Sequence, residues 1–319
     1  MSTPKRLVLV TGASGFIGKQ MVRALAANGW AVRGAARDPA AIPEAAGVER
    51  VVLPDLAWEA DWAPLVDGAT HILHLAGIAH APGHLPEDVY TRINRDVVGE
   101  LARAARGRVE RFVLMSSVRA QAGLAADHVI TERDRPQPTD VYGNSKLEAE
   151  RLLAESGVPF TVLRPAVVYG RGVKGNIASL ATLAQTPMPL PFGGLDNRRS
   201  LLGIDNLASA IELALTSPKA EGETFLVADS EPISVADLVT AMREGLGRPP
   251  HLLRVPTGAV KRLMATFGKE KEWERLSGNF VIDAGKLRAI GWDPRVKTYD
   301  GIAAMMRAPN GAAPNSLKT

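Results

Sequence analysis

Short apolar runs recur along the first half of the chain, and amphipathic stretches fill the intervals between them. Residues 6–10 read as a strand with both faces buried, followed by a glycine-rich turn over residues 12–18. Residues 18–28 have helical periodicity, with Met21, Leu25 and Val22 turned inward and Gly29 as the stop. Further strands are predicted at 31–36, 50–53, 70–76, 111–116 and 160–164. Helices are predicted at 87–106, where Val89, Ile93, Val97 and Leu101 share a face, and at 144–155. Strands regularly separated by helices imply βαβ units, so the fold class is α/β with a doubly wound parallel sheet.

After Pro165 the rhythm changes. Prolines and glycines crowd residues 170–194 around a shorter helix at 177–185, which reads as loops. A helix at 205–216 and a strand at 224–228 would return the chain to the sheet. Ser234 and Asp237 have capping-box spacing at the start of another helix, with Asp in place of the usual Glu. A helix at 256–267, apolar through Val260, Leu263, Met264 and Phe267 and basic at Lys261 and Arg262, would cover this second part of the protein. Residues 308–319 read as a flexible tail.

Composition narrows the chemistry. The 319 residues are 46% hydrophobic and 23% charged, which is globular composition. With no cysteine, disulfides, thiolate nucleophiles and Cys-bound metals are excluded. No apolar run reaches the roughly 20 residues of a membrane span, and no secretory signal is legible, so the expected compartment is the cytoplasm. Net charge is +4, but the basic residues are dispersed and aromatics total only 5%, so neither nucleic acid binding nor membrane insertion is expected.

Two motifs carry chemistry. Gly12-Ala13-Ser14-Gly15-Phe16-Ile17-Gly18 joins a strand to a helix, where helix amides can receive a pyrophosphate and glycine lets the backbone approach it. That placement makes the sheet Rossmann-type, and the GxxGxxG spacing points to short-chain dehydrogenases. Tyr142 and Lys146 form a YxxxK pair. Four helical residues put the ammonium one turn from the phenol on nearly the same face, where a cation favours phenolate and lowers the phenol pKa. The third partner is expected at the end of the preceding strand, at Ser116 or Ser117.

Cofactor choice is read at the end of the second strand. Ala36 stands where NAD enzymes place an acid, and Arg37 follows, able to pair with a 2′-phosphate. NADP is therefore favoured over NAD. Asp38 can serve NAD if the turn shifts, and Arg33 either helps or faces solvent. His71 and His74 point to opposite faces of one strand, and Pro82-Gly83 separates His80 from His84, so no metal site is expected.

With these residues in view, the chain resembles the extended short-chain dehydrogenases/reductases of the NAD-dependent epimerase/dehydratase family, from Leu7 to about Tyr299. The likeness includes His74-Leu75-Ala76-Gly77, Asn94 with Gly99, Leu163-Arg164-Pro165 and Val168-Tyr169-Gly170. Gly172-Val173-Lys174-Gly175-Asn176 and Asn197-Arg198-Arg199-Ser200-Leu201-Leu202 resemble bacterial UDP-N-acetylquinovosamine 4-ketoreductases. The resemblance implies a Rossmann domain at 1–165, joined again by 201–230, and a smaller C-terminal α/β substrate domain at 166–307. It implies hydride transfer at C4 of a UDP-hexose or UDP-N-acetylhexosamine, by a 4-ketoreductase or 4-epimerase of polysaccharide biosynthesis. Ser117, selected by counting back from Gln121-Ala122 where the family has Tyr-Gly, would be catalytic with Tyr142 and Lys146.

The same resemblance gives the binding residues. Gly12, Gly15, Phe16, Ile17, Gly18, Arg37, Leu56, Ala76, Gly77, Asn94, Lys146 and Pro165 would contact the cofactor. Asp55 would meet the adenine, or is simply a strand-end Asp. Asn176 and Arg199 would hold the nucleotide diphosphate of the substrate. The partner is then a nucleotide sugar, and helices 87–106 and 144–155 resemble those that form a four-helix homodimer interface. A dihydroflavonol- or hydroxysteroid-type reductase would share Gly12, Tyr142 and Lys146 but have no use for Arg199. A non-catalytic cofactor sensor would not need Ser117, Tyr142 and Lys146.

One outcome follows from the residues after Ser117. A 4,6-dehydratase of this family places Asp and Glu there, for the C5 proton and the C6 hydroxyl, whereas this chain has Val118 and Arg119. Valine transfers no proton and arginine stays protonated, so only Asp127 or Asp134, beyond a loop, could stand in for them. Incubation with UDP-glucose, UDP-N-acetylglucosamine and dTDP-glucose should therefore give no 4-keto-6-deoxy product by mass spectrometry. A product lighter by one water would overturn the assignment of Ser117.

Overall fold

The computed structural model describes residues 6–79, 85–266, 268, 273 and 277–307, leaving out the side chains of Val260 and Leu263. His80, His84, Phe267 and the 308–319 tail lie outside the described residues. The chain begins β1 (Leu7–Thr11), α1 (Phe16–Ala27), β2 (Ala31–Ala36), β3 (Val48–Val52), α2 (Ala63–Val66) and β4 (His71–His74). It continues with α3 (Glu87–Tyr90), a π-helical turn (Thr91–Asp96), α4 (Val97–Ala105), β5 (Arg111–Met115), α5 (Val141–Glu155) and β6 (Phe160–Pro165).

Seven strands form one parallel sheet in the order β10-β6-β5-β4-β1-β2-β3, where β10 is Glu223–Val227. This is the Rossmann-type arrangement. Alternate residues of each strand feed opposite faces. Val8, Val10, Leu73, Val113, Leu163 and Phe225 pack with the α1 residues Met21 and Leu25. Leu9, Ile72, Leu114 and Val162 pack beneath Val97, Leu101, Ala149 and Leu153 of α4 and α5. With helices on both faces, continuous apolar strands are what burial demands. His71 and His74 obey the same alternation: His71 sits edge-on to Trp30 at 4.9 Å, and His74 lies 6.1 Å from Phe112 on the other side.

Where elements differ from expectation, polar side chains explain the difference. The predicted strand 70–76 stops at His74 because the amides of Leu75 and Ala76 turn to Thr11 Oγ1, at 3.2 and 3.3 Å. The predicted helix 87–106 carries a π-helical turn around the buried Asn94. The helix predicted from Asn144 starts at Val141, because Asp140 Oδ1 accepts from Gly143 N at 2.7 Å and caps it. Arg33 does not face solvent freely. Its guanidinium donates to Glu49 Oε2 at 2.7 Å, Leu65 O at 2.9 Å and Asp67 O at 2.6 Å, stitching β2 to β3 and the end of α2.

The rest of the chain forms a smaller lobe: β7 (Val167–Tyr169), α6 (Asn176–Ala184), β8 (Arg198–Arg199), β9 (Leu201–Gly203), α7 (Ile204–Thr216), β11 (Ile233–Ser234), α8 (Val235–Gly245) and α9 (Thr257–Thr266). Short helices at Gly285–Ala289 and Thr298–Met306 follow. Two elements of this stretch return to the first part of the protein: α7 packs its Leu207, Ala210 and Ile211 into the α1 side of the core, and β10 pairs with β6 in the sheet. Leu180, Phe192, Leu195, Leu238, Met242 and Ile302 make the lobe's own core. Ser234 caps α8 as its spacing predicted, its Oγ accepting from Asp237 N at 2.9 Å and donating to Asp237 Oδ2 at 2.8 Å. Met264 of α9 packs against this lobe, while Lys261 and Arg262 are exposed.

Helices α8 and Thr298–Met306 approach closely at Gly245, where an added Cβ would stand 2.2 Å from Ala303 O and 2.9 Å from Met306 Cβ. Gly245→Ala should therefore destabilise by about 1–3 kcal/mol through overpacking, despite alanine's better helix propensity. A lower midpoint in denaturant unfolding, with unchanged slope, checks this; a raised midpoint would show that the helices separate freely.

Candidate active site

The winding of the sheet reverses beside β1, which pairs with β2 on one side and β4 on the other. A crevice opens there at the carboxyl ends of the strands, where open α/β sheets bind ligands. Most of the sequence-predicted residues gather along that edge.

The glycine turn leaves β1. Gly12 has φ +68°, and a Cβ on it would stand 2.8 Å from Ala76 N. Gly18 is buried against the turn itself, with a Cβ only 2.2 Å from Gly12 O. Gly15 is the N-cap of α1, with Phe16 and Ile17 half-buried in the first turn. First-turn amides have no intrahelical acceptor, so this cradle fits a pyrophosphate. Across it, Ala76 is buried and Gly77 exposed; a Cβ on Gly77 would lie 2.8 Å from Asn94 Oδ1 and 3.4 Å from Lys146 Nζ.

Asn94 is occupied by protein. It accepts from Ile78 N at 2.8 Å and donates to Ile78 O at 3.0 Å and Ser145 Oγ at 3.1 Å, so it clips the loop after β4 to α5. Arg37 stands exposed just past β2, and among the described residues no hydrogen bond or ion pair engages it. Asp38 beside it accepts from Ala40 N at 3.0 Å and caps the following turn. Asp55 is likewise exposed and accepts from Ala57 N at 3.0 Å, while Leu56 packs on the α4 side of the core. Pro165 ends β6.

Ser117, Tyr142 and Lys146 come together where β5 ends against α5. The Tyr142 phenol lies beside the Ser117 side chain, and Ser117 Oγ accepts from Arg119 N at 3.1 Å. Lys146 Nζ donates to Met115 O at 2.9 Å. The close approach of the two segments requires Gly143, where a Cβ would meet Arg119 O at 2.3 Å. Behind them, Ser116 Oγ and Arg164 bond the Glu150 carboxylate, and Arg164 also reaches Gln121.

The electrostatics differ from the sequence expectation in one respect. Burial holds the Tyr142 phenol above its ordinary pKa, partly offset by the Ser117 side chain; Asp140 acts upward and Arg119 downward. Where the Tyr142–Lys146 spacing predicts a lowered phenol, burial prevails, and the Lys146 ammonium donates to the Met115 carbonyl. Burial itself pulls Lys146 down to about 8, with Glu150 opposing.

Arg199 is turned inward on β8. It donates to Gly278 O at 2.7 Å and Leu124 O at 3.2 Å and lies 5.5 Å over the Phe280 ring. Burial first, then the neighbouring Arg119 charge, lowers it to about 10. No carboxylate pairs with it among the described residues. Asn176, the first residue of α6, is exposed and linked to Arg199 by no hydrogen bond among those residues.

Sequence reasoning missed Arg119 and Asp140. Arg119 Nη2 donates to Asp140 Oδ2 at 2.6 Å while its Nη1 is buried without a partner. The signal that could have found Asp140 is its N-cap position two residues before Tyr142. Asp134 offers no acid or base to the site, since it accepts from Thr131 N at 2.7 Å and neighbours His128.

The sequence profile of the NAD dependent epimerase/dehydratase family matches residues 8–228. The UDP-glucose 4-epimerase of Vibrio cholerae is 32% identical over 313 residues, covering 94% of each chain. The ceramide reductase of Caulobacter vibrioides is 26% identical over 300 residues, covering 92% of this chain and 88% of its own. Among solved structures, MoeE5 in complex with UDP-glucose and NAD superposes with a TM-score of 0.73 at 24% identity, over 94% of this chain and 97% of that one. The UDP-glucuronic acid 4-epimerase of Bacillus cereus, in complex with NAD, gives 0.75 at 20% identity, over 94% and 95%. The structural likenesses speak for the fold, and the sequence likenesses, with the glycine turn and the Tyr142–Lys146 pair, for the family: the chain belongs to the NAD dependent epimerase/dehydratase family of extended short-chain dehydrogenases/reductases.

Proposed function

We propose that the protein transfers hydride at C4 of a UDP-hexose or UDP-N-acetylhexosamine, as a 4-epimerase or 4-ketoreductase. The observation that carries this reading is the meeting of Ser117, Tyr142 and Lys146 beside the Gly12 cradle, within one crevice that Arg199 approaches from the smaller lobe. The nicotinamide, when bound, supplies the acceptor or donor of the hydride. Tyr142 moves the proton on the C4 oxygen, and Ser117 holds that oxygen by a hydrogen bond. Lys146 anchors the cofactor ribose, with Gly12, Gly15, Phe16, Ile17 and Gly18 at the pyrophosphate. Asp55 and Leu56 serve the adenine, and Ala76, Gly77 and Pro165 serve the nicotinamide end. Asn94 acts by holding the 77–78 loop.

Arg199 supports the nucleotide-sugar reading because it is a half-buried cation that, among the described residues, is held by carbonyls and the Phe280 ring and by no carboxylate. A diphosphate supplies the charge partner it lacks. Asn176 would join it once substrate draws α6 inward. A reductase of flat apolar ketones would have no use for this cation. The pair of helices α4 and α5 is read as the homodimer face.

Tyr142→Phe should leave cofactor binding intact and lower turnover by about 10²–10⁴, the worth of a placed proton donor. Near-normal turnover on UDP-glucose, UDP-N-acetylglucosamine and their 4-keto derivatives would remove Tyr142 from the mechanism. Lys146→Met should damage both affinity and rate.

The exposed, unpaired Arg37 supports NADP(H) over NAD(H), while NAD retained through purification would favour the epimerase. Arg37→Ala should weaken NADP(H) by about 1.5–3 kcal/mol and change NAD(H) little, as read by calorimetry. Equal losses for both would place Arg37 at the adenine instead.

A further inference from the structure

Three consecutive residues at the end of β5 each engage one residue of α5. Ser117 faces Tyr142, the carbonyl of Met115 takes Lys146 Nζ at 2.9 Å, and Ser116 Oγ donates to Glu150 Oε1. The α5 residues stand four apart, so all three lie on one helix face. The third contact has no part in the reading above.

Glu150 is also the centre of a buried network. Its carboxylate takes Arg164 Nε at 3.0 and 3.1 Å, and Nη2 as well. Arg164 Nη1 donates to Gln121 Oε1, and Gln121 Nε2 to Thr131 O at 3.1 Å and Asp134 O at 2.7 Å. The Glu150 and Arg164 side chains are each only 7% exposed. Four segments meet there: the end of β5, the turn after Ser117, α5 and β6. Removing two charges from water is costly, and a hydrophobic pair of similar volume is often as stable, so stability alone does not account for this arrangement.

We propose that Glu150 is a positioning residue, which fixes the end of β5 that carries Ser117 and supplies the negative charge facing Lys146. The inference rests on the reading of Ser117, Tyr142 and Lys146 given above. The groups around Lys146 leave Glu150 as the source of that charge. From β4 comes His74, kept neutral, as burial first and the Lys146 charge second hold it to about 3. From β6 comes the Arg164 cation, which pairs with Glu150 and offsets part of its field, so that Glu150 is the group that acts upward on Lys146 against burial. From α5 itself comes Tyr142, whose phenol is held up. Asn94 and Gly77 bring no charge.

Lys146 titrates at about 8, lowered by burial and raised by Glu150. Its ammonium is present below that pH and lost as pH rises through it, so without the Glu150 charge it is lost at a lower pH.

The test is Glu150→Gln, read by the pH dependence of NADH and NADPH binding, which needs no sugar substrate, and by turnover. The alkaline loss of cofactor affinity should move down by roughly one pH unit, the size of effect one close opposite charge has. Turnover at the wild-type optimum should fall about tenfold to a hundredfold, as for a sub-ångström displacement of a catalytic group. Glu150→Asp keeps the charge but draws it back from Ser116, so the alkaline limb should stay in place while turnover falls. An unmoved limb in Glu150→Gln overturns the proposal even where turnover is lost. If Glu150→Gln does not fold, Ser116→Ala decides. Turnover lowered about fivefold or more with cofactor affinity within about twofold supports positioning, and unchanged turnover overturns it. A wild-type protein that binds neither cofactor would overturn the functional reading and this inference together, whereas the Glu150→Gln result on a cofactor-binding protein bears on Glu150 alone.

Discussion

The contact between the end of β5 and one face of α5 is the constraint on which the rest of the site depends. It brings a strand-end serine to a helical tyrosine and a helical lysine to a strand carbonyl, and it tolerates almost no variation in spacing. Gly143 is required because Arg119 O occupies the place of a side chain. Asp140 is required because one of its oxygens caps α5 while the other holds Arg119. Both residues flank Tyr142 and act on its position from the backbone side.

The lower half of the same contact is polar and buried. A carboxylate, a guanidinium, an amide and a hydroxyl, all buried, form one hydrogen-bonded network between β5, β6 and α5. In such an interior a fully paired network has one low-energy arrangement, whereas apolar packing has several of similar energy. The cradle across the crevice is built differently. There backbone approaches backbone, and steric exclusion at Gly12 and Gly18 adds to backbone hydrogen bonds such as Gly15 N to Gly12 O at 3.0 Å. A pyrophosphate needs close amides, and a proton donor needs a fixed side chain, so the two halves of the crevice use the two means suited to each.

The parallel sheet was legible in the sequence because its strands are buried on both faces, and burial writes uninterrupted apolar runs. Residues 112–115 of β5 show it most directly, an unbroken Phe-Val-Leu-Met run buried throughout. Strand ends were less legible where a side chain from elsewhere captures the backbone, as Thr11 does at Leu75 and Ala76. The start of α5 was placed three residues late because the cap lies in Asp140, outside the apolar period of the helix.

By itself the sequence determined the order of elements, the glycine turn, and the one-turn spacing of Tyr142 and Lys146, because each depends on residues close in the chain. The tertiary structure decided what those groups face. The Tyr142 phenol is held up by burial although an ammonium stands one turn away along the helix, and that ammonium donates to Met115 O, 31 residues away. Arg33 and Arg37 look equivalent in sequence, yet β3 and α2 claim the first and leave the second exposed. Burial and long-range partners set the protonation and the freedom of a side chain, and neither is written in its neighbours along the chain.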